Sequence, residues 1–158
     1  MDDVVLDKMI KISEEFFGSE QHPDYIPITR ESCKKFQHIY PNWLFYKLRD
    51  GEPVSWVVVL PTQTALMKQF IKGGITERQL LDLTKPEEKF EALYLCSAFT
   101  IPELRKQGYI IDIAKEAVDT IPLTETFFLF AWPVTGEGKQ LAKKLESVLG
   151  HEILIKKP

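Results

Sequence analysis

Apolar side chains recur at Val5, Met9, Ile12 and Phe16, with Leu6, Ile10 and Phe17 beside them. That spacing predicts a helix over residues 3–17 with one broad buried face. Gly18 supplies a C-cap, and His22 to Pro27 is a turn-rich connection holding two prolines. Thr29 is placed to N-cap a second helix through about Ile39, with Cys33, Phe36 and Ile39 or Tyr40 inward and a stop near Pro41-Asn42. The period then changes. Trp43 to Arg49 and Pro53 to Leu60 are aromatic and β-branched runs separated by Asp50-Gly51, the signal of a hairpin. Thr64 to Phe70, between Pro61 and Gly73-Gly74, reads as a third strand of the same meander.

Thr76-Glu77-Arg78-Gln79 has the form of a capping box and predicts a short helix through about Leu83. After the charged linker Lys85 to Lys89, Phe90 to Phe99 is nearly apolar on both faces, as a covered central strand would be. Pro102 closes it. Ile110, Ala114, Ala117, Val118 and Ile121 mark the next helix, and Thr126 to Trp132 is another apolar strand. Glu137 to Leu149 is a helix with Leu141, Leu145, Val148 and Leu149 inward, ended by Gly150, and His151 to Lys156 is a last short strand. The order is α-α-β-β-β-(α)-β-α-β-α-β. A right-handed crossover makes strands 90–99 and 126–132 parallel neighbours. The fold class is α+β (mixed α/β): a mostly antiparallel central sheet with one parallel strand pair and flanking helices.

Length and composition narrow the classes. A chain of 158 residues suits one domain over 1–158, long enough to hold a core without disulfides or a structural metal. Net charge is −3, from 20 Lys plus Arg against 23 Asp plus Glu, which gives no support to a nucleic-acid partner. Cys33 and Cys96 form no C-x-x-C pair, so neither a metal site nor a thioredoxin-type redox centre is expected. The start, Met1-Asp2-Asp3, is acidic where a secretory or mitochondrial leader would be basic. The longest apolar run, Trp56 to Leu60, falls far short of the ~20 residues that span a bilayer. A cytoplasmic setting with no membrane partner is the expectation.

Chemistry concentrates in Thr100-Ile101-Pro102-Glu103-Leu104-Arg105-Lys106-Gln107-Gly108-Tyr109-Ile110. A buried strand ends there, a short loop follows, and a helix begins. Unpaired amides and the positive end of the dipole make such a helix start an anion site. Gly108 lets the backbone approach a ligand closely, and Arg105 and Lys106 add charge suited to phosphate. The same residues also describe a tight strand–helix turn with two solvated basic side chains.

Pro102-Glu103-x-Arg105-x-x-Gly108-x, after an apolar strand and before a helix, resembles the acyl-CoA signature of the GNAT superfamily of N-acetyltransferases. The element order resembles that fold from residue 4 to residue 156. The resemblance implies a single-domain GNAT-like fold in which strands 93–99 and 127–132 splay to admit acetyl-CoA. It implies backbone contacts to the pantetheine arm from Phe99, Thr100 and Ile101. The diphosphate would lie on Arg105, Lys106, Gln107, Gly108, Tyr109 and Ile110. The implied reaction is direct attack of a primary amine, on a small molecule or a protein, at the thioester. Two positions depart from the family pattern. Ile110 stands where Gly or Ala is usual, and Glu146 stands where many members have the tyrosine that protonates the leaving thiolate.

Glu91, at the start of the central strand, is the candidate base, and it also reads as a solvated strand-end carboxylate. Cys96 in an apolar run reads as core. His22 and His38 read as surface or helix-face residues, and His151 follows a helix C-cap, where a cationic ring is favoured. Trp132, at the carboxyl end of its strand, is the candidate on the acceptor side. Lys139, Lys143 and Lys144 read as a solvated face or a docking patch for the CoA 3′-phosphate. Beside an acetyl transfer enzyme stands a degenerate GNAT-fold module that binds acyl-CoA or another protein without turnover. A third alternative is an unrelated α+β interaction domain. Monomer and homodimer are both compatible with the sequence.

Overall fold

A computed structural model describes residues 3–17 and 23–157; the expected Gly18 cap and His22 lie outside them. The elements are helices α1 (Asp3–Phe17) and α2 (Arg30–Ile39), strands β1 (Leu44–Arg49) and β2 (Glu52–Thr62), and helices α3 (Thr64–Ile71) and α4 (Glu77–Leu83). Strand β3 (Phe90–Thr100), helix α5 (Tyr109–Thr120), strand β4 (Leu123–Ala131), helix α6 (Gly136–Leu149) and strand β5 (Ile153–Ile155) follow. They form one five-stranded mixed sheet in the order β1-β2-β3-β4-β5, flanked by helices. β1, β2 and β3 pair antiparallel, while β3 and β4 pair parallel. A second parallel pair, β4 with β5, joins the predicted one, because α6 is itself a crossover between them.

Local chemistry explains most of these elements. Asp50 and Gly51 both have positive φ, 52° and 77°, as a two-residue turn matched to strand twist requires. The predicted caps are present: Thr29 and Thr76 each accept the backbone N–H three residues on, from Ser32 and Gln79. Each cap is a reciprocal box, in which the Ser32 and Gln79 side chains accept from the cap backbone.

The third meander strand is a correction. Residues 64–71 are helical, not extended, with Met67 and Phe70 buried at helical spacing. Ala65, Leu66, Met67, Lys68 and Gln69 are strong helix formers, and tertiary packing rewards one side of them only. The first amide of the helix, on Thr64, donates to the Glu91 carboxylate at 3.2 Å.

The core lies on both faces of the sheet. Cross-strand neighbours Tyr94 and Phe130 stack at 4.9 Å between centroids, and Phe70 of α3 meets both edge-on. Leu93 and Leu129 therefore face the other way. Buried Ile113, Ala114 and Ala117 give α5 its apolar stripe. Among the described residues no helix is long and apolar enough to cross a membrane.

Candidate functional site

The parallel ladder between β3 and β4 ends early. Pairing begins with Phe90 opposite Leu123 and, after a shift of register, runs from Ala92 opposite Phe128 to Leu95 opposite Ala131, yet β3 continues to Thr100. A bulge sits at the parting point, because Val59 faces Leu95 and Val58 faces Ser97, leaving Cys96 as the extra residue. A bulge bends its strand and increases its twist, which carries β3 away from β4. β4 gives way to Trp132-Pro133, and proline has no N–H with which to extend the ladder. Leu95 to Ala98 are half-buried, between buried Ala92 to Tyr94 on one side and buried Phe99 and Thr100 on the other.

The gap is a cleft of about 140 Å³ lined by Leu95 to Ala98, by Ile110 and Ala114 of α5, and by Leu141 and Leu145 of α6. A drug-sized ligand needs ~300–1,000 Å³, so this space suits a slender chain and not a bulky ligand. Among the described residues no carboxylate lines it.

The cleft runs beside the loop that starts α5. A short 3-10 turn over Pro102–Leu104 leads to Lys106 at φ 66° and Gly108 at φ 83°, two left-handed residues flanking Gln107. Gly108 is the N-cap of α5 and provides no side-chain acceptor. By contrast α2, α4 and α6 are capped by the hydroxyls of Thr29, Thr76 and Thr135. The first-turn amides of α5 therefore have no side-chain cap, and a Cβ built on Gly108 would meet nothing within 4 Å. The Arg105 Nε–H donates to the Thr100 carbonyl at 3.1 Å, and its guanidinium lies 5.8 Å from the Phe99 ring centre. No carboxylate pairs with it among the described residues.

The sequence-predicted residues fall into two groups. Arg105, Lys106, Gln107, Gly108 and Tyr109 form the loop that leads into α5, and Ile110, directly after them, stands in the cleft wall. Trp132 also lines the cleft. Phe99 and Thr100 are buried, and their carbonyls accept the Ser55 hydroxyl and Arg105 Nε–H respectively. The Ile101 N–H donates to Val54. The open strand segment is thus 95–98, upstream of 99–101.

Glu91 is not brought to the cleft. It is exposed, caps α3, and precedes Leu95 by a stretch of strand about 13 Å long at ~3.3 Å per residue. Glu146 accepts the Ile153 N–H at 2.8 Å, joining α6 to β5. His151 stacks on Phe127 at 4.5 Å between ring centres. Cys96 lines the cleft at its bulge, while burial and the nearby Glu77 push its thiol pKa well up and keep it protonated.

Sequence reasoning read Cys96 as core and did not single out Cys96-Ser97-Ala98 as a cleft wall, whose signal was a run of little side chains inside an otherwise bulky strand. It also passed over Glu77 beyond its place in the capping box. That carboxylate is buried, accepting the Tyr94 hydroxyl at 2.5 Å and the Ile26 N–H at 2.9 Å. Burial raises its pKa above the usual carboxylate value, although both hydrogen bonds oppose the rise.

A raised folded-state pKa gives a stability contribution that is complete below the unfolded pKa and is lost as pH rises through the folded one. Urea midpoints of the wild type should therefore fall on going from acid through neutral pH. In Glu77→Gln this part of the fall should vanish, since the amide oxygen still accepts from Ile26. Parallel pH profiles for the two proteins would refute this assignment.

No family model, curated protein or solved structure matches this chain. Among the described residues no cluster of His, Cys, Asp or Glu could hold a metal ion.

Proposed function

We propose that this chain is an acyl-CoA-dependent N-acyltransferase of the GNAT type, using acetyl-CoA and a primary amine. The observation that carries the reading is the parting of β3 from β4 at Leu95 and Ala131, which opens a slender cleft toward the uncapped start of α5. Acetyl-CoA would supply an activated thioester to an amine attacking directly. The backbone of Cys96, Ser97 and Ala98, left unpaired by β4, offers hydrogen bonds to the amides of a pantetheine arm. The amides of the first turn of α5 and the Arg105 guanidinium would hold the diphosphate. Glu146 is engaged with Ile153, so the proton for a departing thiolate would come from water or another group.

That no carboxylate lines the cleft among the described residues favours a second reading, a GNAT-fold module that binds acyl-CoA without turnover. Calorimetric titration with CoA and desulfo-CoA tests the shared step. Binding is expected, and Arg105→Ala should weaken it roughly ten- to a hundredfold, the worth of one charge-assisted hydrogen bond. Absence of binding at millimolar CoA by folded protein would sink both readings. Binding without acetyl transfer to a panel of amines would select the second.

A further inference from the structure

The indole N–H of Trp132 is the one buried side-chain polar group among the described residues that has no hydrogen-bond partner. A buried donor left unmet is costly and calls for a reason. Trp43 shows the ordinary arrangement, since its indole N–H donates to Gln37 at 3.2 Å. Trp132 is held by packing alone. Tyr25 meets its ring edge-on at 5.3 Å between centroids and Phe70 at 6.0 Å, and the Lys156 ammonium stands 4.9 Å from its ring centre. These contacts fix where the bulk of the ring lies, and none of them gives the N–H an acceptor.

That bulk stands at the inner end of the cleft. Trp132 directly follows Ala131, the last residue of β4 to pair with β3, and it lines the cleft beside Leu95, Cys96 and Ala131. It lies two residues beyond Phe130, and strand alternation puts both side chains on the α3 face, where Phe70 meets both rings edge-on. The paired Leu95 and Ala131 close the gap along the sheet, and Leu141 and Leu145 of α6 line it from the other face. On the α3 face Phe70, Tyr94 and Phe130 are fully buried, so the packing behind the indole is dense.

Resting on the acyltransfer reading, we infer that Trp132 is the stop for the acyl chain and restricts this protein to short acyl groups, acetyl above all. An arm anchored at the start of α5 and lying along Ala98, Ser97 and Cys96 would end where β3 and β4 rejoin, with its acyl group toward the indole. Beyond acetyl, each further methylene would press on a ring braced by Tyr25, Phe70 and Lys156. In an apolar pocket one methylene is worth roughly ten- to two-hundredfold in discrimination.

Calorimetric titration with CoA, acetyl-CoA, butyryl-CoA and hexanoyl-CoA tests this. The wild type should bind butyryl-CoA at least tenfold more weakly than acetyl-CoA, and hexanoyl-CoA more weakly still. In Trp132→Ala the ratio of acetyl-CoA to butyryl-CoA affinity should fall to threefold or less. A ratio taken within one variant is unaffected by any general loss of affinity. Trp132→Leu keeps an apolar side chain against Tyr25 and Phe70, and it should lower the ratio in part; it carries the test if the alanine variant does not fold. Wild-type affinity for butyryl-CoA within threefold of that for acetyl-CoA overturns the inference, as does a wild-type ratio in a folded Trp132 variant. In either case CoA binding leaves the acyltransfer reading standing. Failure of CoA itself to bind overturns both.

Discussion

Gly108→Val is expected to abolish CoA binding, a loss of a hundredfold or more, in a protein that stays folded. Residue 108 caps α5 at φ 83°, a conformation that β-branched residues avoid. The strain is about 1–2 kcal/mol, tolerable for a domain stabilised by roughly 5–15 kcal/mol. Apart from its chain neighbours, no described residue comes within 4 Å of the new Cβ, so packing is little disturbed. On the proposed acyl-CoA reading, the same open space is where a diphosphate would approach the first-turn amides of α5, and a branched side chain would occupy it. A thermal melt should fall by only ~2–8 °C, at about 2–4 °C per kcal/mol for a chain of this size, while titration calorimetry loses its CoA signal. Affinity within threefold of wild type would remove the loop from the binding site.

The residues show why some of this was legible and some was not. Caps are local: Thr29 with Ser32 and Thr76 with Gln79 act over one helical turn, so their geometry follows from short-range chemistry. The β-α-β crossover is nearly as constrained, since a right-handed connection leaves one arrangement for β3 and β4. Residues 64–71 were harder because a short apolar run does not distinguish strand from helix. What decides it is distant: Glu91 accepts from the first amide of α3, and Phe70 finds its partners on β3 and β4. The same long-range pairing removes Glu91 from the cleft. The cleft was announced by the loop at its mouth, whereas its walls depend on a bulge at Cys96 that no propensity encodes.

Because that pairing decides the fold between β2 and β3, the largest loss of stability is expected from Phe70→Ala, about 3–5 kcal/mol. Phe70 is fully buried, with its ring centroid 5.2 Å from that of Tyr94, 6.1 Å from Phe130 and 6.0 Å from Trp132. Truncation removes one side of each of these contacts, and the surrounding aromatic rings are too rigid to close the space. At about 2–4 °C per kcal/mol the melting temperature should drop by roughly 6–20 °C. A drop under about 3 °C would mean that α3 is not packed against the sheet as described. The loss also reaches the site, because Phe70 supports Trp132 and the Lys156 ammonium where β4 ends. A strand at 64–70 would have presented its side chains to alternate faces. The helix instead gathers Met67 and Phe70 on one side, which is what lets a single ring brace the sheet where its two parallel strands part.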